Sequence, residues 1–306
     1  MKKILLLLLV CSTVQLSGRE VFFIPGWYSQ WVIYTKHVQQ LEKIFPGEKI
    51  TVCKWDSNRL WQNAKHSASA FVRKFALSLL QRDDTVDITL IGHSLGGRIV
   101  LDCAGILAEN RKQVRQIILL GTAGKMSEAD IRNCQQVSLL PVINICCFDD
   151  NMLKLFYRQE GFMPLGLAGL PRKHSHICQY RMEVPATELA ISDMTILSRA
   201  GTEPFRETAA HLAAKYLLVL TDAVQGRLTE YYLDLPELEK IAAGSAVPND
   251  FLPGFRVSAE IKGWKFARRR FPRRYRISSP AGKFFYYKSE TDALRIWQYI
   301  QDAADI

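Results

Sequence analysis

The chain has 306 residues, 48% of them hydrophobic, enough for one large α/β domain with a sizeable core plus a small appendage. No internal run is apolar for long enough to span a membrane, and the seven cysteines, an odd count without C-x-x-C spacing, exclude a disulfide framework. The formal net charge of +10 is concentrated: from Arg256 to Lys288 eleven basic residues meet one acid, Glu260, so the rest of the chain sums to zero.

Met1-Lys2-Lys3 before the apolar run Ile4 to Val10 reads as a signal peptide or uncleaved anchor over residues 1–20. Ser17 or Gly18 precedes the expected cut, and Val10 before Cys11 fits a lipobox poorly. This predicts an exported or membrane-associated protein. The cysteines point the other way, to a reducing, cytoplasmic setting. Cys146 and Cys147 are adjacent in an apolar run, and Cys53, Cys103 and Cys178 also fall on elements expected to be buried, as small core hydrophobes.

Val21 to Ile24 is an apolar strand ending at Pro25-Gly26-Trp27. A helix follows with Val32, Val38, Leu41 and Ile44 on one side, closed by Pro46-Gly47. Lys49 to Lys54 is a second strand. Leu60 to Leu80 is a long helix with Ala64, Ala68, Phe71, Phe75 and Leu79 in one stripe. Val86 to Ile91 is a buried strand leading into Gly92-His93-Ser94-Leu95-Gly96-Gly97, and a helix begins at Arg98. Arg115 to Leu120 is the next strand, Met126 to Gln135 a short helix, and Pro141 to Phe148 another buried strand. Such alternation predicts a doubly wound, mostly parallel sheet with its site at the carboxyl ends of the strands. From Gly161 to Glu207 prolines and glycines loosen the pattern, as a lid or a long surface loop. His176 to Val184 reads as the last strand, and Arg206 to Val224 and Leu228 to Ala243 as helices. A linker near Ala243 to Pro248 divides an α/β domain at 21–245 from a basic module at 246–306.

A serine pinched between glycines at a strand-to-helix turn is held in a strained conformation that pushes its Oγ out of the sheet. Ser94 is therefore the candidate nucleophile. The N–H of Leu95, at the positive end of the helix, is a donor for a developing oxyanion. A second donor is the N–H of Trp27, where Gly26 permits close backbone approach. Trp27, Tyr28 and Trp31 line an acyl pocket or pack the core. Serine needs a histidine base, and the base needs a carboxylate. With such an elbow the chain order is serine, acid, histidine. The acid falls on Asp149-Asp150. The return Asn151-Met152-Leu153 favours Asp150, and the unused aspartate is a helix N-cap. Downstream, His211 at or near the start of the final helix is the preferred base. His174 and His176, before the last strand, are alternatives that approach from the wrong end, and His93 is a buried neighbour of the elbow.

Phe23-Ile24-Pro25-Gly26-Trp27, Gly92-His93-Ser94-Leu95-Gly96-Gly97, Asp150-Asn151-Met152-Leu153 and His211 together resemble the lipase and serine-esterase branch of the α/β-hydrolases, over Val21 to Ala243. The resemblance implies the α/β-hydrolase fold and hydrolysis of a carboxylic ester, of a lipid or a smaller ester, through an acyl-enzyme. It implies no metal and no organic cofactor. The interval from Asp150 to His211 is long for that branch. An acyltransferase would use the same triad.

In the tail, Arg268-Arg269-Arg270-Phe271-Pro272-Arg273-Arg274-Tyr275-Arg276 precedes a hairpin turn at Ser279 to Lys283, a strand at Phe284 to Tyr287 and a helix at Glu290 to Ile300. This predicts a small sheet packed on one helix, with a short likeness to methyl-CpG-binding-type modules. Arginines interleaved with aromatics suit phosphates, either of nucleic acid or of an anionic membrane surface, through residues 256–288. The competing reading of the whole chain is a nucleic-acid-binding protein whose hydrolase fold is an inactive scaffold.

Overall fold

The computed structural model describes residues 18–27, 36–58, 60–83, 85–150, 152–154, 162–183, 203–231, 234–244, 246, 254–270 and 273–304. The leader, Tyr28, Trp31 and residues 184–202 of the expected lid or loop lie outside these residues. Strands β1 (Glu20–Ile24), β2 (Lys49–Val52), β3 (Ile88–His93), β4 (Gln116–Leu120), β5 (Val142–Cys146) and β6 (Ile177–Arg181) form one sheet in the order β2-β1-β3-β4-β5-β6. Every pairing is parallel. The chain winds outward from β1 to β2, then returns to the other side of β1 as β3. That reversal opens a crevice at the carboxyl ends of β1 and β3, where Gly26 and Ser94 lie.

Successive strand residues face opposite sides of a sheet, and here both sides are buried. Phe22, Ile24, Leu90, Ile117 and Leu119 pack under α2 (Trp61–Leu80), α3 (Leu95–Glu109) and α4 (Glu128–Val137). Val21, Phe23, Ile91, Ile118 and Leu120 pack under α1 (Lys36–Ile44) and α6 (Glu203–Val224). Two-sided burial is why the strands read as unbroken apolar runs. Cys53, Cys103, Cys134, Cys146 and Cys147 are buried free thiols, whereas Cys178 is only half-buried, because β6 is the edge strand.

The helix after the elbow begins at Leu95, not Arg98, and two later helix starts also differ from the sequence expectation. The helix α6 begins at Glu203, before Arg206, and Pro204 sits in its first turn, where a missing N–H costs little. The helix α7 (Leu235–Gly244) begins well after Leu228; Tyr231, before it, lies beside the edge strand, its N–H donating to Gln179 O (2.6 Å).

The C-terminal sheet is antiparallel, with β7 (Arg256–Ile261), β8 (Trp264–Arg269), β9 (Arg274–Ser278) and β10 (Phe284–Tyr287) in the order β10-β9-β8-β7. Lys262 and Gly263 both take positive φ (+43° and +83°), as a two-residue hairpin turn between β7 and β8 requires. Trp264, Phe266, Tyr275, Ile277, Phe285 and Tyr287 pack on α8 (Glu290–Ala304). This core also takes in Ile241 and Ala242 of α7, and Ala168 of the short helix α5 (Leu165–Ala168). The Tyr287 hydroxyl donates to Ala242 O (2.6 Å), and the Tyr299 hydroxyl lies 3.2 Å from Ala168 O and 3.3 Å from Gly169 O. Packing thus unites α7 with the module beyond the expected 245/246 boundary. Among the described residues no helix is long and apolar enough to cross a membrane.

Candidate active site

Ser94 has φ +53° and ψ −120°, a region costly for any residue with a Cβ and kept only where the surroundings enforce it. The enforcement is backbone. The Ser94 N–H donates to Leu120 O (2.9 Å), and the Ser94 carbonyl accepts from Gly97 N–H (3.0 Å) and Ala123 N–H (2.9 Å). Ser94 is half-buried and stands immediately before Leu95, the first residue of α3. A Cβ on Gly96 would lie 2.0 Å from Ile24 O, so only glycine lets the first turn of α3 press against the end of β1. A Cβ on Gly26 would lie 2.7 Å from Ser94 Cβ and 3.2 Å from its Oγ. The Pro25-Gly26-Trp27 loop therefore lies directly against the serine. It is held there by the Trp55 indole N–H, which donates to Pro25 O (2.8 Å). Trp27 is buried, edge-on to Trp61 at 5.5 Å.

Asp150 lies four residues beyond the end of β5 and is buried, while Asp149 is exposed beside Lys154 (3.3 Å). Asp150 Oδ1 accepts from the Leu153 N–H (3.0 Å), and Oδ2 accepts from the Tyr216 hydroxyl (3.0 Å). Burial pushes its carboxyl above the ordinary aspartate value, against the pull of those two bonds. Burial and the neighbouring Asp150 also raise the Tyr216 phenol, which stays a donor.

His211 is exposed, eight residues into α6, whereas Leu212, Ala213 and Tyr216 of that helix are buried against the sheet. The earlier start of α6 is what moves it away from the helix's first turn. His176 Nε2 lies 2.8 Å from Ser138 O, and His174 O accepts from Ile177 N–H (3.1 Å). Both histidines thus precede β6 at the amino-terminal edge of the sheet, opposite the elbow.

The structure adds His37, which no local pattern marks, and places His93 as the buried neighbour of the elbow. His37, in α1, is buried with Nε2 3.0 Å from Ala210 O. His93 is buried with its ring 5.6 Å from that of Tyr216, and its Nδ1 has no hydrogen-bond partner among the described residues. Burial, with His37 close by, pushes the His93 pKa down to about 3, so this imidazole is neutral at ordinary pH. Asp150, Tyr216, His93 and His37 thus follow one another as a chain of neighbouring polar side chains, with Tyr216 set in the core between the sheet and the pair α1 and α6. A separate cavity of about 380 Å³, lined by Ser127, Met163, His174 and Tyr299 among others, contains none of Ser94, Asp150 and His211. Among the described residues no group of histidine, cysteine, aspartate and glutamate is arranged to hold a metal ion.

A parallel sheet wound in this order, carrying a serine on a strained strand-to-helix turn, defines the α/β-hydrolase fold, here with a smaller α+β module at the C-terminus. A family described as "Protein of unknown function (DUF726)" matches residues 44–178, a span with the elbow and Asp150 but not His211. No curated protein matches the chain. Among solved structures it is similar to the RedJ thioesterase from the prodiginine pathway of Streptomyces coelicolor, at 12% identity and TM-score 0.36, over 65% of this chain and 86% of that one. It is similar to a lipase-esterase related protein from Clostridium acetobutylicum, at 13% identity and TM-score 0.33, over 60% and 93%. The third likeness is to an esterase from Pyrobaculum calidifontis, at 10% identity and TM-score 0.32, over 67% and 77%. Likeness at this level does not extend to substrate or activity. The resemblance of the C-terminal module to methyl-CpG-binding-type modules gains no support from these matches.

Proposed function

We propose that the chain is a serine hydrolase of carboxylic esters. The observation that carries this reading is the φ of +53° at Ser94 in a turn where Gly26 lies against the hydroxyl. Strain of this kind at a non-glycine residue suits presentation of a nucleophile. Ser94 Oγ attacks the ester carbonyl and its proton passes to the histidine base. The oxyanion lies on the N–H groups of Leu95 and Trp27, and the returning proton leaves with the alcohol. Water then repeats the sequence on the acyl-serine and releases the acid. Asp150, fixed at both oxygens, supplies the negative charge that favours the imidazolium.

His211 is the base in this reading. The burial of His37 beside the elbow's own His93 favours a second assignment, and paired variants separate the two. His211→Ala or His37→Ala, whichever removes the base, lowers kcat by about 10³-fold or more; the exposed His211 is replaced at unchanged melting temperature, whereas loss of the buried His37 also lowers it. The test of the reaction class is a fluorophosphonate probe, with hydrolysis of a short p-nitrophenyl ester beside it. Ser94 is expected as the labelled residue, and Ser94→Ala as inactive yet folded. Full turnover by Ser94→Ala dismisses the assignment. An added alcohol that outcompetes water as acceptor would redefine the protein as an acyltransferase with the same triad.

A further inference from the structure

The C-terminal sheet buries one side on α8, and most of its arginines gather at one end. There the start of β7, the end of β8 and the start of β9 meet the first turn of α8. An open groove of about 740 Å³ lies at this end, and its lining includes Arg256, Arg268, Arg269, Arg270 and Arg273 with a single carboxylate, Glu290. Glu290 is shared: it lies 3.4 Å from Arg268 and 3.7 Å from Arg273, and it accepts the Tyr275 hydroxyl at 3.0 Å.

The register makes the surplus sharper. Arg256 is the cross-strand partner of Arg268, and Arg269 that of Arg274. Like charges placed opposite each other on neighbouring strands destabilise a sheet, and two such pairs stand side by side here. Arg269 also has a buried Nη1 with no hydrogen-bond partner among the described residues. A fold that aligns arginines this way is relieved by an anion with oxygens on several centres. Guanidinium forks match phosphate oxygens two at a time. One phosphate cannot span the opposed pairs Arg256–Arg268 and Arg269–Arg274, whereas a phosphodiester chain offers a charge at every nucleotide. A bilayer is flat and would reach the rim of a concavity, not its lining. On the outer side of the same sheet, Arg276 is stacked between Phe255 (4.9 Å) and Phe284 (4.8 Å), and Phe284 is half exposed. Such a surface suits stacked bases.

We propose that this groove binds the phosphodiester backbone of single-stranded nucleic acid, without sequence readout. The proposal is independent of the chemistry at Ser94. The test uses the full chain and a fluorescein-labelled oligo-dT of about 20 nucleotides, read by anisotropy from about 50 mM to 200 mM salt. Binding should weaken steeply with salt. Arg256→Gln/Arg273→Gln, both at exposed positions, should weaken it about tenfold or more at the lowest salt, and should reduce the salt slope by about 1.4, as expected for two lost phosphate contacts on a single strand. Arg256→Lys/Arg273→Lys keeps the charge and should retain most of the slope. Arg73→Gln/Lys74→Gln, exposed on α2, removes the same charge elsewhere and should leave binding unchanged. Absence of binding at the lowest salt overturns the proposal. So does equal weakening by the α2 variant, which reduces the effect to net charge. Arginine-dependent capture by phosphatidylserine vesicles without oligonucleotide binding overturns it in favour of a lipid surface.

Discussion

The elbow and the arginine groove are built from opposite materials. Around Ser94 the structure is backbone against backbone: glycines, carbonyls and N–H groups pressed together where no side chain fits. At the end of the C-terminal sheet it is side chain against solvent, with long cations projecting from a regular ladder. The first region specifies chemistry by excluding atoms, the second by accumulating charge. Sequence change should therefore be punished through folding in one and through binding alone in the other.

The sharpest way to break this contrast is Gly96→Ala. Its methyl would meet Ile24 O at 2.0 Å, and two main chains cannot both yield. A loss of about 3 kcal/mol or more is expected, read as a collapse of the denaturant midpoint. Next comes Tyr216→Phe, which leaves Asp150 Oδ2 buried without its donor. A hydrogen bond to a charged group contributes about 1.5–3 kcal/mol, and the variant should melt earlier by that amount at neutral pH. The carboxyl, already raised, rises further. The folded state then holds its proton more tightly than the unfolded chain does, so the deficit shrinks on acidification. A deficit constant with pH would assign the tyrosine to packing alone.

The third effect is the acid sensitivity of the elbow region. The unfolded chain protonates His93 below about pH 6.5, whereas the folded protein resists until about pH 3. Stability is therefore greatest above the unfolded value and falls by about 1.4 kcal/mol per pH unit beneath it, or about 2 kcal/mol by pH 5. His93→Gln should flatten that slope in melting curves taken from pH 7 to 5. The smallest effect belongs to the groove. Arg256→Gln should move stability by no more than about 0.5 kcal/mol, in either direction, because it relieves a repulsion as it removes a side chain. A larger loss would mean that the arginines hold the sheet together, and the contrast would fail.

The elbow was legible because its chemistry dictates small residues at fixed positions, and no other composition closes the turn. The choice between the two aspartates rests on the return at Asn151 to Leu153, which leaves the helix N-cap to the other one; instead the Leu153 N–H donates to Asp150 itself, and Asp149 stands exposed beside Lys154. Tyr216 and His37 were not legible, since their partners Asp150 and Ala210 stand 66 and 173 residues away, and only the packing of α6 brings them together. The start of α6 was hidden by the alanine-rich run from Thr208 to Ala214, which lacks the apolar spacing that would fix a boundary. In the tail the number of arginines was plain, but their opposition was not. It depends on the register shift between Val257 and Ala259 and on the turn at Lys262-Gly263.

The bonds from Tyr299 to the carbonyls of Ala168 and Gly169 give the appendage a mechanical standing. Helix α5 is wedged so closely that a Cβ on Gly166 would lie 2.0 Å from the Gly121 carbonyl carbon, and two residues further on Ala123 grips the Ser94 carbonyl. One tyrosine and a few peptide groups thus link the last helix to the backbone behind the nucleophile. The tail is riveted to its host, and severing it at residue 245 would strip the outer cover from α5 and α7.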